Sequence, residues 1–237
     1  MTLPEAVLAR LPTDAASTAA LALAQRTLSA PLLNHSLRVY LHALRLAEAA
    51  DTDTEWPGWW AAHASTHTSL LFIACICHDF GATDNHNGAQ RFEVEGADAG
   101  KSHCLSHGMS PEDAHAVWCA IALHTTPGIA ERIDPLSRLV RVGALCDFGT
   151  RESREAIMRG TYAYAVEIEG YLPRLEIERV LADAVVGQGL PCAAKADALP
   201  WPSTTKHPKG SWPGMLMRAH LENPGHVGWK EGENPAF

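Results

Sequence analysis

Apolar residues recur every three or four positions along most of the chain and nowhere alternate convincingly, so the pattern predicts an all-α fold. Thr13-Asp14 can cap a helix running to about Ser29, after which Pro31 breaks the chain. A second helix is expected over Asn34 to Ala50, with Leu37, Tyr40, Leu41, Leu44 and Ala47 on one face and His35 in its first turn. Trp56-Pro-Gly-Trp-Trp60 reads as a turn, and a long helix should run on from about Ala61 to Asp79. Gly81 to Gln90 is polar and turn-rich, hence a loop. Phe92 to Leu105 has helical spacing despite Gly96 and Gly100. Ser110-Pro111-Glu112-Asp113 is a helix start with proline at the first position and acids in the first turn, opening a helix that reaches His124 before Pro127-Gly128 ends it. Asp134-Pro135 starts the next, which delivers Asp147 near its end.

Later helices are expected over roughly Ser153 to Tyr164 and Pro173 to Val186. From Leu199 prolines, glycines, tryptophans and histidines crowd a stretch with little periodicity, read as an irregular C-terminal arm. Neither a repeat nor a linker divides the chain. Residues 1–237 are therefore read as one domain, with a core over about 30–150, additional helices over 151–198 and the arm over 199–237. The arm could cover a cleft or bind a second subunit, which leaves a homo-oligomer open.

Charge narrows the partners. A net charge of −8 argues against a nucleic-acid binder, which needs a basic surface, but not against a small anionic substrate near a metal. The start of the chain lacks a basic segment followed by an apolar core, and no window of about 18 apolar residues occurs later, so no membrane partner and a cytoplasmic location are expected. Six cysteines without a Cys-x-x-Cys read as reduced thiols, mostly buried.

The candidate chemistry lies at helix ends. His78-Asp79 closes the apolar run Leu70-Leu-Phe-Ile-Ala-Cys-Ile-Cys77, and His35 and Asp147 stand in or near the ends of other helices. Two imidazoles and two carboxylates suit Zn²⁺, Fe²⁺ or Mn²⁺, and the lack of thiolates tells against a closed structural zinc site.

His35, His78-Asp79 and Asp147, in this order on helices, resemble the H…HD…D signature of the HD-domain metalloprotein superfamily. That resemblance implies an all-helical bundle and an activity among phosphohydrolases, phosphodiesterases, oxygenases and cyanamide hydratases. The words Pro31-Leu-Leu-Asn-His-Ser-Leu-Arg-Val-Tyr40, His78-Asp-Phe-Gly-Ala-Thr-Asp84, Arg91-Phe-Glu-Val-Glu-Gly-Ala97 and Leu123-His-Thr-Thr-Pro-Gly-Ile-Ala130 are similar to the cyanamide hydratase-like branch, whose fungal enzymes add water to cyanamide to give urea. Dinuclear members carry a further metal-binding histidine where this chain has Phe92, so the resemblance implies one divalent ion, zinc before iron or manganese. His103 and His124 are the alternative ligands for a second.

Hydration of a nitrile needs an electrophilic carbon, a hydroxide delivered to it and a proton donor for the nitrogen. His124 and Glu93 are candidates for proton handling, Asp84 and Thr83 for orienting groups, and Asn34 and Arg38 for support by hydrogen bonds, Arg38 meeting either a substrate or a carboxylate. The function the resemblance implies is a metal-dependent hydratase that adds water to cyanamide, or to a similar small nitrile-like substrate, to give urea. An HD-type phosphohydrolase or phosphodiesterase, a di-iron oxygenase and a non-catalytic binding protein are the alternatives.

Overall fold

The computed structural model describes residues 2–49, 58–62, 64–158, 162–193, 206–208 and 210–223, with 190–193 by backbone alone. Among the described residues every regular element is helical: α1 (Glu5–Leu8), α2 (Ala15–Thr27), α3 (Ala30–Ala49), α4 (Trp59–Ala62), α5 (Ala64–Cys77), α6 (Phe92–Ser106), α7 (Pro111–Leu123), α8 (Ala130–Ile133), α9 (Pro135–Phe148), α10 (Arg151–Met158), α11 (Tyr162–Tyr171), α12 (Ile177–Ala193) and α13 (Trp212–Glu222). Phe80–Ala82 and Asp84–His86 are short 3-10 turns inside the loop after α5.

Local chemistry sets most boundaries. Asp14, Ser110 and Asp134 each accept a backbone N–H three residues on, from Ser17, Asp113 and Ser137, and so cap α2, α7 and α9. Pro31 begins a helix instead of breaking one: it lies in the first turn of α3, where a missing N–H goes unused. The helix expected from Ala61 to Asp79 is delivered as α4 and α5, and ends at Cys77, so that His78 and Asp79 lie just past its last turn. Of the turn expected at Trp56–Trp60, residues 56 and 57 lie outside the described residues; Gly58 takes φ +73° and Trp59 opens α4. The single helix expected over Ser153 to Tyr164 is replaced by α10 and α11, with 159–161 outside the described residues. The last expected helix starts at Ile177, not Pro173, because Leu175 and Glu176 both turn left-handed, at φ 54° and 56°. Part of the arm is regular after all: Ser211 caps α13, with Pro213 in its first turn, and α13 packs on α12.

The core is built around α5. All eight residues from Leu70 to Cys77 are buried, so this helix is apolar around its whole circumference. Helices α2, α3, α6, α7 and α9 pack against it. Two close backbone approaches fix how α9 lies on α3 and how the loop after His78-Asp79 lies on α6. A Cβ on Gly143 of α9 would sit 2.6 Å from the Val39 carbonyl of α3, and one on Gly81 would sit 1.9 Å from the Phe92 carbonyl of α6. Only glycine lets these elements meet. Cys75, Cys77, Cys104 and Cys146 are buried and unbridged, Cys119 is part-exposed, and Cys192 lies outside the described side chains.

Candidate metal centre

His35 in α3 and His78-Asp79 after α5 meet at one buried point. His35 Nε2 lies 3.1 Å from His78 Nε2 and 3.4 Å from Asp79 Oδ2, while His78 Nε2 is 3.3 Å from that same oxygen. The far side of each ring sets its proton position. His78 Nδ1 is 2.6 Å from the Cys75 carbonyl, which can only accept, so Nδ1 carries the hydrogen. His35 Nδ1 donates to Asp147 Oδ2 at 2.6 Å. Both Nε2 atoms are thereby left with lone pairs in the neutral rings, facing each other and a carboxylate. Neither Asp79 oxygen has a hydrogen-bond partner, although both are buried.

Acceptors facing acceptors repel unless a cation sits between them. Burial lowers the His35 pKa, outweighing the pull of Asp147. For His78 burial acts in the same direction, yet the adjacent Asp79 carboxylate carries the imidazole above its usual value. A divalent cation there would take the place of any proton the cluster holds. His35, His78 and Asp79 are the donors that fit such an ion, with ligand atoms all within 4.8 Å of one another.

Asp147 is not in that cluster. It stands behind His35, where Arg38 grips both its oxygens, Nε to Oδ1 at 2.7 Å and the NH2 nitrogen to Oδ2 at 2.8 Å. Arg38 holds the carboxyl well below the ordinary range against the opposing effect of burial. Helix geometry explains the placement. His35, Arg38 and His42 share the face of α3 that meets α9, and Gly143 and Asp147, four apart, share the reciprocal face. His42 is buried with neither ring nitrogen hydrogen-bonded, 3.7 Å from Asp147 Oδ1. Asn34 and Arg38, expected to support the site, make their hydrogen bonds behind it, and neither lines the cavity. The Asn34 amide donates to the Pro173 carbonyl at 2.9 Å, and Arg38 donates to the carbonyls of Leu172 and Pro173 at 2.9 and 3.1 Å.

The opposite face of α9 presents Arg141, Ala144, Leu145 and Phe148 to a cavity that reaches the cluster. His35, His78, Asp79, Phe92, His124, Thr125, Leu181 and Trp212 complete its wall, leaving about 20 Å³ open to the centre of a water molecule. His124 repeats the device of His78: Nδ1 donates to a carbonyl three residues back, that of Ile121, at 2.6 Å, and Nε2 is left as an acceptor 3.8 Å from Asp79 Oδ1. Burial first, then His78, holds its pKa down to about 3, so the ring is neutral. Glu93 lies one step behind the wall. Its Oε1 accepts the Thr125 hydroxyl at 2.5 Å, and burial raises its pKa against the pull of Arg91 and that hydroxyl.

Two expected orienting groups stand elsewhere. Thr83 turns its hydroxyl back to the Phe80 carbonyl at 2.6 Å, and Asp84 is exposed at the start of a 3-10 turn; neither lines the cavity. Phe92 is buried in the wall with its ring 5.7 Å from that of His124, where it offers no ligand. His103 is buried and donates to the Ala16 carbonyl at 2.8 Å, away from the cluster. Sequence pattern did not mark several residues of the wall, among them Thr125, Arg141 and Trp212. The first comes directly after His124, the second sits two turns before Phe148, and nothing in the irregular composition around Trp212 singled it out.

Residues 32–147 match the family model described as HD domain. Over those residues, just under half of the chain, the sequence is similar to the HD-domain family. The sequence is also 30% identical over 72 residues to the cyanamide hydratases DDI2 and DDI3 of Saccharomyces cerevisiae, a match covering 30% of this chain and 28% of each relative. The chain thus spans less than a third of the length of the curated relatives it matches. HD domains bind divalent metals, and His35, His78 and Asp79 form a His-His-Asp triplet that could hold one. The matched region supplies the cluster and most of the cavity wall. Leu181 and Trp212, and the carbonyls that engage Asn34 and Arg38, come from beyond it. No helix among the described residues is long and apolar enough to cross a membrane.

Proposed function

We propose that the protein is a metal-dependent hydratase that adds water to cyanamide, or to a similarly small nitrile, giving urea or the corresponding amide. One observation carries the reading: three imidazole Nε2 acceptors and a carboxylate without a hydrogen-bond partner converge on a cavity of about 20 Å³, room for roughly one or two waters or a ligand of few atoms. The 30% identity to two cyanamide hydratases supports the choice of substrate. One divalent ion, zinc in the first instance, is the proposed cofactor.

When bound, such an ion polarises the nitrile and acidifies water. The chain's own groups then manage position and protons. His35 and His78 are locked in their tautomers by Asp147 and the Cys75 carbonyl, so their lone pairs stay aimed inward. His124, neutral with its acceptor nitrogen on the cavity, can take a proton from water as oxygen bonds to carbon. A proton held on Glu93 can pass through the Thr125 hydroxyl to the nitrogen, and the proton taken by His124 then restores Glu93. The sum is one water added across the carbon–nitrogen triple bond, oxygen to carbon and both hydrogens to nitrogen.

A second reading, a phosphohydrolase, is favoured by Arg141 in the cavity wall. That guanidinium, however, already engages Glu131 and the His124 carbonyl, both at 3.2 Å. The deciding experiment measures urea from cyanamide, and phosphate from nucleotides, with the metal-loaded protein. Urea that disappears together with bound metal in His78→Ala supports the hydratase. Phosphate without urea sinks it.

A further inference from the structure

We propose that Trp212 is a specificity-determining residue: a roof, supplied from outside the matched region, that limits the cavity to ligands of a few heavy atoms. The proposal rests on the reading that the cavity beside His35, His78 and Asp79 receives the substrate. Trp212 opens α13 under the Ser211 cap, and its ring stands 6.0 Å from that of Phe92, so the two aromatic groups form one wall of the cavity.

This placement is fixed at several points. Just ahead of α13, Lys206 is buried and its ammonium donates to the carbonyls of Gly88 and Gln90 at 2.7 and 2.8 Å, fastening the segment to the loop after His78-Asp79. The neighbouring His207 ring donates to the Val185 carbonyl of α12 at 3.0 Å. Gln188 of the same helix donates to the Gly81 carbonyl at 3.0 Å. Pro213, Gly214 and Met217 bury the inner face of α13. The clamp fixes the backbone that carries the indole beside Phe92, so the ring's volume subtracts from the space beside the cluster. Small linear molecules pass this restriction; nucleotides do not.

Protein loaded with cobalt(II) reports ligand entry by its visible absorption. Titration with azide, acetohydroxamate and benzohydroxamate forms a ladder of size. The expected result is that azide perturbs the native spectrum and benzohydroxamate does not. In Trp212→Ala the Kd for benzohydroxamate should fall by about tenfold or more, with azide changed by less than about twofold. Trp212→Phe should stay near native. Lys206→Met loosens the clamp without altering the wall and should move in the same direction as Trp212→Ala, which keeps the test decisive if the alanine variant folds poorly. Equal native affinities for azide and benzohydroxamate, or an unchanged ladder in both Trp212→Ala and Lys206→Met, overturns the roof whatever the urea assay returns. A protein that takes up no cobalt overturns the metal site and the roof with it, whereas absent urea with the expected ladder overturns the hydratase reading alone.

Discussion

Replacing Asp147 by asparagine removes one negative charge from a fully buried array and leaves its shape almost intact. The carboxylate accepts three short bonds, two from Arg38 at 2.7 and 2.8 Å and one from His35 at 2.6 Å, and neither Arg38 nor Asp147 has exposed side chain. An amide in its place turns a donor toward one of these donors and leaves the guanidinium without a counter-charge. Breaking a buried pair on one side costs about 3–5 kcal/mol. Chemical denaturation of the metal-free protein should show a loss of that size. The sign with pH is set by the depressed carboxyl: its contribution is whole above the ordinary carboxylate value of 3.8 and is lost as pH falls through the folded value, so the gap between the two proteins should narrow in acid. Metal titration on the same samples separates two roles. A carboxylate that orients His35 from behind costs roughly 10–100-fold in affinity when neutralised. Retention of full stability and full metal affinity would refute the account of Asp147, and complete loss of metal with modest destabilisation would make it a direct ligand.

Gly81→Ala places a methyl 1.9 Å from the Phe92 carbonyl, against backbone that cannot yield; we expect about 3 kcal/mol of destabilisation and reduced metal content, measured by denaturation and elemental analysis. Glu93→Gln should lower kcat for hydration by about 10²–10⁴-fold with metal content unchanged, and an unaltered kcat would remove Glu93 from proton handling. His207, pushed down to about 4 chiefly by burial, must charge on unfolding below its ordinary value of 6.5. Stability should therefore fall as pH drops from that value toward 4, by at most about 1.4 kcal/mol per pH unit before solvent screening, and His207→Gln should flatten the slope in denaturation series across this range.

What could be read from the sequence was the chemistry that acts over a few residues. Asp14, Ser110 and Asp134 cap helices through atoms three residues away, and the continuous apolar run before His78 identifies α5 as the buried axis. His35, His78 and Asp79 come together because each sits where a core helix begins or ends. The side toward which Asp147 points could not be read in the same way. It depends on the rotation of α9, which the contact between Gly143 and Val39 sets. Thr83 satisfies its hydroxyl within its own turn, a local alternative to the site that composition does not reveal. Trp212 reaches the cavity only because Lys206 and His207 bind carbonyls distant in the chain.

The left-handed pair Leu175 and Glu176 bears on how the molecule unfolds. Each such residue costs about 1–2 kcal/mol and persists only where its surroundings over-determine it. Here the restraint comes from the adjoining Leu172 and Pro173 carbonyls, held by Arg38 and Asn34, and from Arg174, which donates to the Asp147 carbonyl at 2.5 Å. A chain cut at residue 150 would keep the whole family match yet strand two donors of α3 in the interior. The cooperative unit therefore extends to at least Arg174, and the start of α3 and the turn before α12 should gain and lose protection from hydrogen exchange together.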